Sequence, residues 1–199
     1  MKVVVIGATG TIGKAVADAL AGRHEVVRAS RGGSVKADLE DRASLERLFE
    51  TVKDVDAVVC CAGSAAFKPL AQLTDADIQL GLRSKLMGQV DLTRIALGKL
   101  RDGGSITLTS GTLAHEPMPG GAAISLVNAA LEGWVTGAAI ELPRRLRINV
   151  VSPPWMSETL AALKMDPKGG IPAATCAKAY VASVEGKDNG KTLYARTFA

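Results

Sequence analysis

Aromatic residues are scarce in this chain: three Phe, two Trp and two Tyr among 199 residues. Stacking recognition of nucleic-acid bases depends on such side chains, so their scarcity argues against it. Cysteine is rare as well. Cys60, Cys61 and Cys176 are odd in number and two are adjacent, so no disulfide framework is implied. No C-x-x-C pair and no Cys/His cluster offers a metal site. No apolar run approaches the length of a membrane span, and the one at the N-terminus is too short for a signal peptide. The expectation is a soluble, cytoplasmic chain with no metal, no membrane and no nucleic-acid partner. Neither sign of charge dominates. A net charge of +4 is mildly basic and suits an anionic ligand without requiring one. The basic residues are scattered except for Arg144-Arg145-Leu146-Arg147. That cluster reads as a solvated helix end beside a C-terminal dipole, with a nucleic-acid patch as the alternative.

What the chain does have is concentrated at its start. Val3-Val4-Val5-Ile6 is a β-branched run without polar alternation, the pattern of a buried parallel strand. Gly7-Ala8-Thr9-Gly10-Thr11-Ile12-Gly13 follows, with its glycines spaced G-x-x-G-x-x-G. Such glycines permit a tight turn, close approach of backbone to a pyrophosphate, and close helix–strand packing. The helix opening at Thr11 aims free N–H groups and the positive end of its dipole at a phosphate. A dinucleotide site is expected here.

Strand-like and helix-like segments alternate to the C-terminus, which predicts one domain over residues 1–199. Its class is α/β: a Rossmann-type, doubly wound parallel sheet of about seven strands with helices on both faces. Expected strands are Lys2–Ile6, His24–Ala29, Val35–Ala37, Asp56–Cys60, Ser105–Thr109, Arg147–Val151 and Thr192–Arg196. Expected helices start at Thr11, after a capping Asp41, at Thr74 with Asp77 completing a capping box, before Pro143, and over Ala173–Val184. The helix from Thr74 is expected to run to about Leu100, and the one ending at Pro143 to span about twenty residues. Pro153 to Pro172 reads as irregular, with one short helical piece, and could serve as a lid. Right-handed crossovers bring the glycine loop, Ala62-Gly63, the loop after Thr109 and Pro153 to one sheet edge.

Five landmarks in order, Gly7–Gly13, Asp38-Leu39, Cys60-Cys61-Ala62-Gly63, Ile106–Ser110 and Arg147–Pro153, resemble the short-chain dehydrogenase/reductase family along nearly the whole chain. The resemblance implies a Rossmann sheet, NAD or NADP, and carbonyl reduction or alcohol oxidation. The cofactor half matches. It assigns Gly7, Thr9, Gly10, Thr11, Ile12, Gly13, Ser30, Arg31, Asp38, Leu39, Cys61, Ala62, Gly63 and Pro153 to the dinucleotide. The Asn-Ser-Tyr-Lys tetrad of the family does not match. Lys85, Gly111, Ile124 and Asn128 stand at its four positions, and Pro153-Pro154 replaces the usual Pro-Gly. The only tyrosines, Tyr180 and Tyr194, are too far along the chain to repair the match.

Other polar residues are then candidates for the chemistry. His115, in the loop after strand five, suits acid–base work or is an exposed loop histidine. Lys85 either reaches the cofactor and polarises a carbonyl or snorkels at the surface. Ser110 either bonds substrate or holds a turn. Cys60 and Cys61 read as inert core thiols. Trp155 either packs on substrate or anchors its loop. The acidic residue that would hold a ribose 2′-hydroxyl is replaced by Ser30. Arg31 beside it, with Arg28, can grip a 2′-phosphate, which favours NADP(H) over NAD(H). The expected function is an NADP(H)-dependent reductase of a small carbonyl or imine with a nonstandard proton route. The alternatives are a catalytically silent NADP(H)-binding sensor or partner protein, and a non-redox enzyme that reuses the cleft. Wide apolar coverage of the helices Thr74–Leu100 and Gly121–Leu142 predicts a homodimer or homotetramer.

Overall fold

In a computed structural model that describes all 199 residues, seven strands form one parallel sheet in the order β3-β2-β1-β4-β5-β6-β7. They are β1 Lys2–Ile6, β2 Glu25–Ser30, β3 Val35–Lys36, β4 Val55–Cys60, β5 Leu100–Thr109, β6 Arg147–Ser152 and β7 Thr192–Tyr194. The sheet buries both faces, which is why β1 is apolar without alternation. Val4 and Ile6 join a core with Leu45, Leu92 and Leu131, while Val3 and Val5 join a second with Val16, Cys176 and Tyr180. Helices α1 (Thr11–Ala21) and α7 (Ala173–Glu185) therefore cover one face. The other is covered by α2 (Arg42–Thr51), α4 (Gly88–Ala96) and α5 (Ala122–Ala138). Strand order reverses between β1 and β4, and this opens a crevice at the carboxyl edge of the sheet.

The helix expected from Thr74 to Leu100 is broken. Thr74 and Asp77 do close a capping box at the head of α3 (Asp75–Gly81). The chain then widens into a π-helical stretch over Leu82–Met87 before α4 resumes. Leu100 belongs to β5, where it is buried opposite Val55. Arg144 joins the end of α4 to the start of β5, donating to Leu97 O and, at 2.8 Å, to Leu100 O.

The arginine cluster is thus no plain solvated end. Arg144 closes the end of α4, and Arg147 donates to Ser183 O and Val184 O in the last turn of α7. Both match positive charge to carbonyl ends of helices. Helix α5 ends at Ala138 rather than Pro143, in a turn whose Arg144 and Arg145 take φ of 53° and 57°. Asp41 stands at the head of α2, but its carboxylate goes to Arg47 at 3.0 Å instead of capping backbone. Strand β7 stops at Tyr194, where a 3₁₀ turn begins.

The segment after Pro153 is pinned as well as irregular. Met156 bridges Ile171, and Glu158, in the short helix α6 (Ser157–Ala162), accepts the Ala173 N–H at 3.0 Å. No helix is long and apolar enough to cross a membrane.

Candidate active site

Two clefts meet at the crevice and share Cys61, Ala62 and Gly63. The outer one, about 420 Å³, is lined by Gly7, Thr9 and Gly10 from the glycine loop, by Ser30 and Arg31 from the end of β2, and by Asp38 and Leu39. Ten of the expected dinucleotide residues therefore line one space. Thr11, Ile12 and Gly13 form the first turn of α1 beside it, and Ile12 and Pro153 line the inner cleft.

The outer cleft fits a dinucleotide on its own geometry. A Cβ on Gly13 would stand 2.1 Å from Gly7 O, so only glycine lets α1 approach the strand end this closely. Gly7 takes φ of +81°, a region that favours glycine. No side chain caps α1 and no acid occupies its first turn, so its N–H groups are available to a phosphate. Arg31 is exposed and makes no ion pair, whereas Arg28 is tied to Asp18 at 2.7 Å. Arg31 is thus the unpaired arginine lining the outer cleft, and Arg28 is not among the residues that line it.

The inner cleft, about 260 Å³, is lined by Ile12, Leu113, Ile124, Trp155 and Met156 among apolar residues and by Lys85, Ser110 and Asn128 among polar ones. Trp155 meets Phe67 edge to face at 5.9 Å, so it both walls the cleft and anchors its loop. The π-helical stretch explains Lys85. Gly63, at φ +127°, lets the backbone of the β4 loop pass the Lys85 Cα, where a Cβ would stand at 2.9 Å. Lys85 Nζ then donates to Ser110 O at 2.9 Å instead of snorkelling outward. Burial lowers its pKa from 10.5 to about 8. Gln89 fixes this arrangement: its Nε2 donates to Lys85 O at 3.1 Å and Thr109 O at 3.0 Å, and its Oε1 accepts from Thr109 N.

Gly111 and Asn128 form a matched pair. Asn128 Nδ2 donates to Gly111 O at 3.2 Å, and a Cβ on Gly111 would meet that nitrogen at 2.8 Å. Asn128 is 1% exposed, yet its Oδ1 has no partner in the protein. A buried amide oxygen left so is an acceptor open to a ligand's donor.

His115 is not in the cleft lining. Its Nε2 meets Glu132 Oε2 at 2.5 Å, and Glu132 Oε1 accepts from Ser110 Oγ at 2.8 Å. His115, expected either to do acid–base work or to be an exposed loop histidine, is exposed, and its ring turns to Glu132 rather than into the inner cleft. Cys60 is a buried core thiol, whereas Cys61 is half-buried between the core and the two clefts. Burial pushes Cys60 up to about 12 and Cys61 well above its ordinary value.

The sequence reasoning missed Glu132, Asn128 as an acceptor, and Gln89. A signal for the first was present. Ile124, Asn128 and Glu132 recur every four residues on one helix face, and Glu132 is the lone ionisable residue of α5.

Residues 2–187 match a family model described as enoyl-(acyl carrier protein) reductase. A hydroxynaphthalene reductase-like protein of Metarhizium brunneum is 29% identical over 130 residues, 62% of this chain and 49% of that protein. A hydroxynaphthalene reductase of Aspergillus fumigatus is 28% identical over 125 residues, 60% of this chain and 46% of the other. The chain thus spans about half the length of these curated relatives. Among solved structures, the protein lin1944 of Listeria innocua is 38% identical with a TM-score of 0.93, covering 98% of both chains. A small-chain dehydrogenase in complex with NADPH is 26% identical with a TM-score of 0.84, covering 98% of this chain and 95% of that one.

Proposed function

The chain belongs to the short-chain dehydrogenase/reductase family, and from that premise we propose that it is an NADP(H)-binding oxidoreductase that reduces a small carbonyl or imine without the family's tyrosine. The observation that carries the reading is Lys85, an ammonium turned into the inner cleft. Bound in the two clefts, reduced nicotinamide would supply a hydride. The glycine loop and the first turn of α1 would hold its pyrophosphate, and Arg31 its 2′-phosphate. Asn128 Oδ1 would accept from a hydroxyl or amide of the bound molecule. Lys85 would meet the oxygen or nitrogen that gains charge as the hydride arrives. A preorganised donor at that position is worth roughly 10²–10³ in rate. Ser110 and Lys85 thus keep catalytic candidacy, and His115 loses a direct role. NADPH bound in the solved dehydrogenase supports the cofactor. The relatives named as hydroxynaphthalene reductases make aromatic ketones the first compounds to try.

The test is NADPH oxidation, followed by absorbance, with a panel of aromatic and aliphatic aldehydes, ketones and imines, beside calorimetric titration of NADP⁺. Consumption with at least one compound supports the reading. Tight binding without any consumption replaces it with the silent NADP(H)-binding protein. The proposal extends to assembly with a second copy. Leu126 is exposed on α5 in line with Ala122, Ala129 and Gly133, a face smooth enough for the same helix of a partner. A monomer mass by light scattering at micromolar concentration would rule this out.

A further inference from the structure

We propose that His115, Glu132 and Ser110 form a proton path from solvent to the inner cleft, supplying the proton that Ile124 cannot; this rests on the reductase reading. The three side chains make one hydrogen-bonded row. His115 is 53% exposed, its Nε2 lies 2.5 Å from Glu132 Oε2, and Glu132 Oε1 lies 2.8 Å from Ser110 Oγ. Glu132 and Ser110 are buried, and Ser110 lines the cleft. Water thus reaches one end of the row, and the cleft lies at the other.

A carboxylate set into the apolar face of α5 is costly unless it is paired, and here both oxygens are taken. The charged and titratable neighbours are few. Lys85 holds the carbonyl of Ser110, the ring of Tyr194 lies against His115, and Glu116 next to it is bound by Arg196 at 2.7 Å. None of these interrupts the row.

The step balances. The substrate carbon takes the hydride of reduced nicotinamide, the π pair of its double bond moves onto the oxygen, and that oxygen takes the hydroxyl proton of Ser110. The His115 imidazolium gives its proton to Glu132 Oε2, the carboxyl group turns to present that proton to Ser110 Oγ, which takes it as its own leaves, and His115 takes one from water. One hydride and one solvent proton are added, and the three side chains end as they began.

Two variants test it with the carbonyl that wild type reduces best. Glu132→Gln keeps the shape and can keep both hydrogen bonds, but it cannot pass a proton. It is expected to lower kcat by roughly 10²-fold with KM unchanged. His115→Ala is expected to lower kcat at least tenfold, and imidazole added to the buffer should restore it, because the vacated position opens to solvent. A change in the His115 imidazole NMR resonances between wild type and Glu132→Gln reports the His115–Glu132 contact without turnover. Should Glu132→Gln fail to fold, the exposed His115→Ala decides. Wild-type kcat in either folded variant, or a loss in His115→Ala that imidazole leaves untouched, overturns the path while the reductase reading stands. A wild type that consumes no NADPH with any compound overturns both.

Discussion

The two halves of the crevice are built from different material. On the side of β1 and β2 the site is largely backbone: glycines that bring α1 against the strand and open N–H groups at its head. On the side of β5 and β6 it is made of side chains from separate elements: Lys85 from the π-helical stretch, Ser110 from the end of β5, and Asn128 and Glu132 from α5. A backbone site depends on a few glycines at fixed spacing. A side-chain site depends on neighbours that fit one another, as Gly111 and Asn128 do. The first kind of site is legible from glycine spacing and the second is not.

The sharpest way to break the first half is at Gly13. Gly13→Ala places a methyl where a Cβ would stand 2.1 Å from Gly7 O, against the backbone of Gly7 and Ala8. Overpacking of this kind costs about 1–3 kcal/mol in stability. The larger effect should be on the ligand, because α1 must back away from the phosphate position. Loss of calorimetrically detectable NADP⁺ binding in a folded variant is expected; affinity like that of wild type would show that the loop does not hold the pyrophosphate.

In the second half the corresponding blow falls on Lys85. Lys85→Met keeps the length and apolar stem while removing the charge, and should lower turnover by roughly 10²–10³-fold. The pH dependence follows from burial, which lowers this amine to about 8. The ammonium is present below that value and lost above it, so wild-type turnover should fall as pH rises through about 8. The same shift has an opposite sign for stability. A base whose folded pKa is depressed gains folded-state stability between about 8 and its ordinary 10.5, as the fold releases its proton first. Alkaline pH should therefore raise the melting temperature of wild type relative to Lys85→Met while turnover declines. A flat rate profile across this range would remove Lys85 from the chemistry.

The contrast also governs what could be read from sequence. The sheet, its order of elements and ten outer-cleft residues were legible, because apolar runs and glycine spacing are local patterns tied to backbone. The break in the long helix was not. The π-helical stretch packs against Gly63 and the end of α4 against Arg144, both distant in sequence from what they touch. The direction of the His115 ring was not legible for a similar reason. Its loop was located correctly, but the direction of the ring is set by Glu132, seventeen residues on. The pairing of Arg28 with Asp18, ten residues earlier on α1, was not legible either.

A gentler change separates the cofactors. Arg31→Ala should weaken NADP⁺ by roughly tenfold or more, the worth of a charge-assisted contact of about 1.5–3 kcal/mol, and leave NAD⁺ nearly unaffected. The prediction is narrow because Arg28 is occupied, so no neighbour stands ready to replace the lost charge. Equal losses for the two cofactors in calorimetric titration would mean that Arg31 does not read the 2′-phosphate.

The smallest effect tests whether two neighbours in the second half are coupled. Gly111 and Asn128 fit each other closely, and enlarging one alone should be harmful. Gly111→Ser puts its Cβ at 2.8 Å from Asn128 Nδ2. The amide cannot simply swing away, since Asn128 is 1% exposed and that nitrogen serves Gly111 O at 3.2 Å. A cost of about 1–3 kcal/mol corresponds to a fall in melting temperature of roughly 2–12 °C at this chain length. Shortening the partner should relieve it, so Gly111→Ser combined with Asn128→Ala should melt higher than the sum of the two single changes requires. Additive losses would show that the positions are independent. Non-additive recovery, read from thermal melts of the four proteins without any substrate, would show that Asn128 is suited to the glycine it faces.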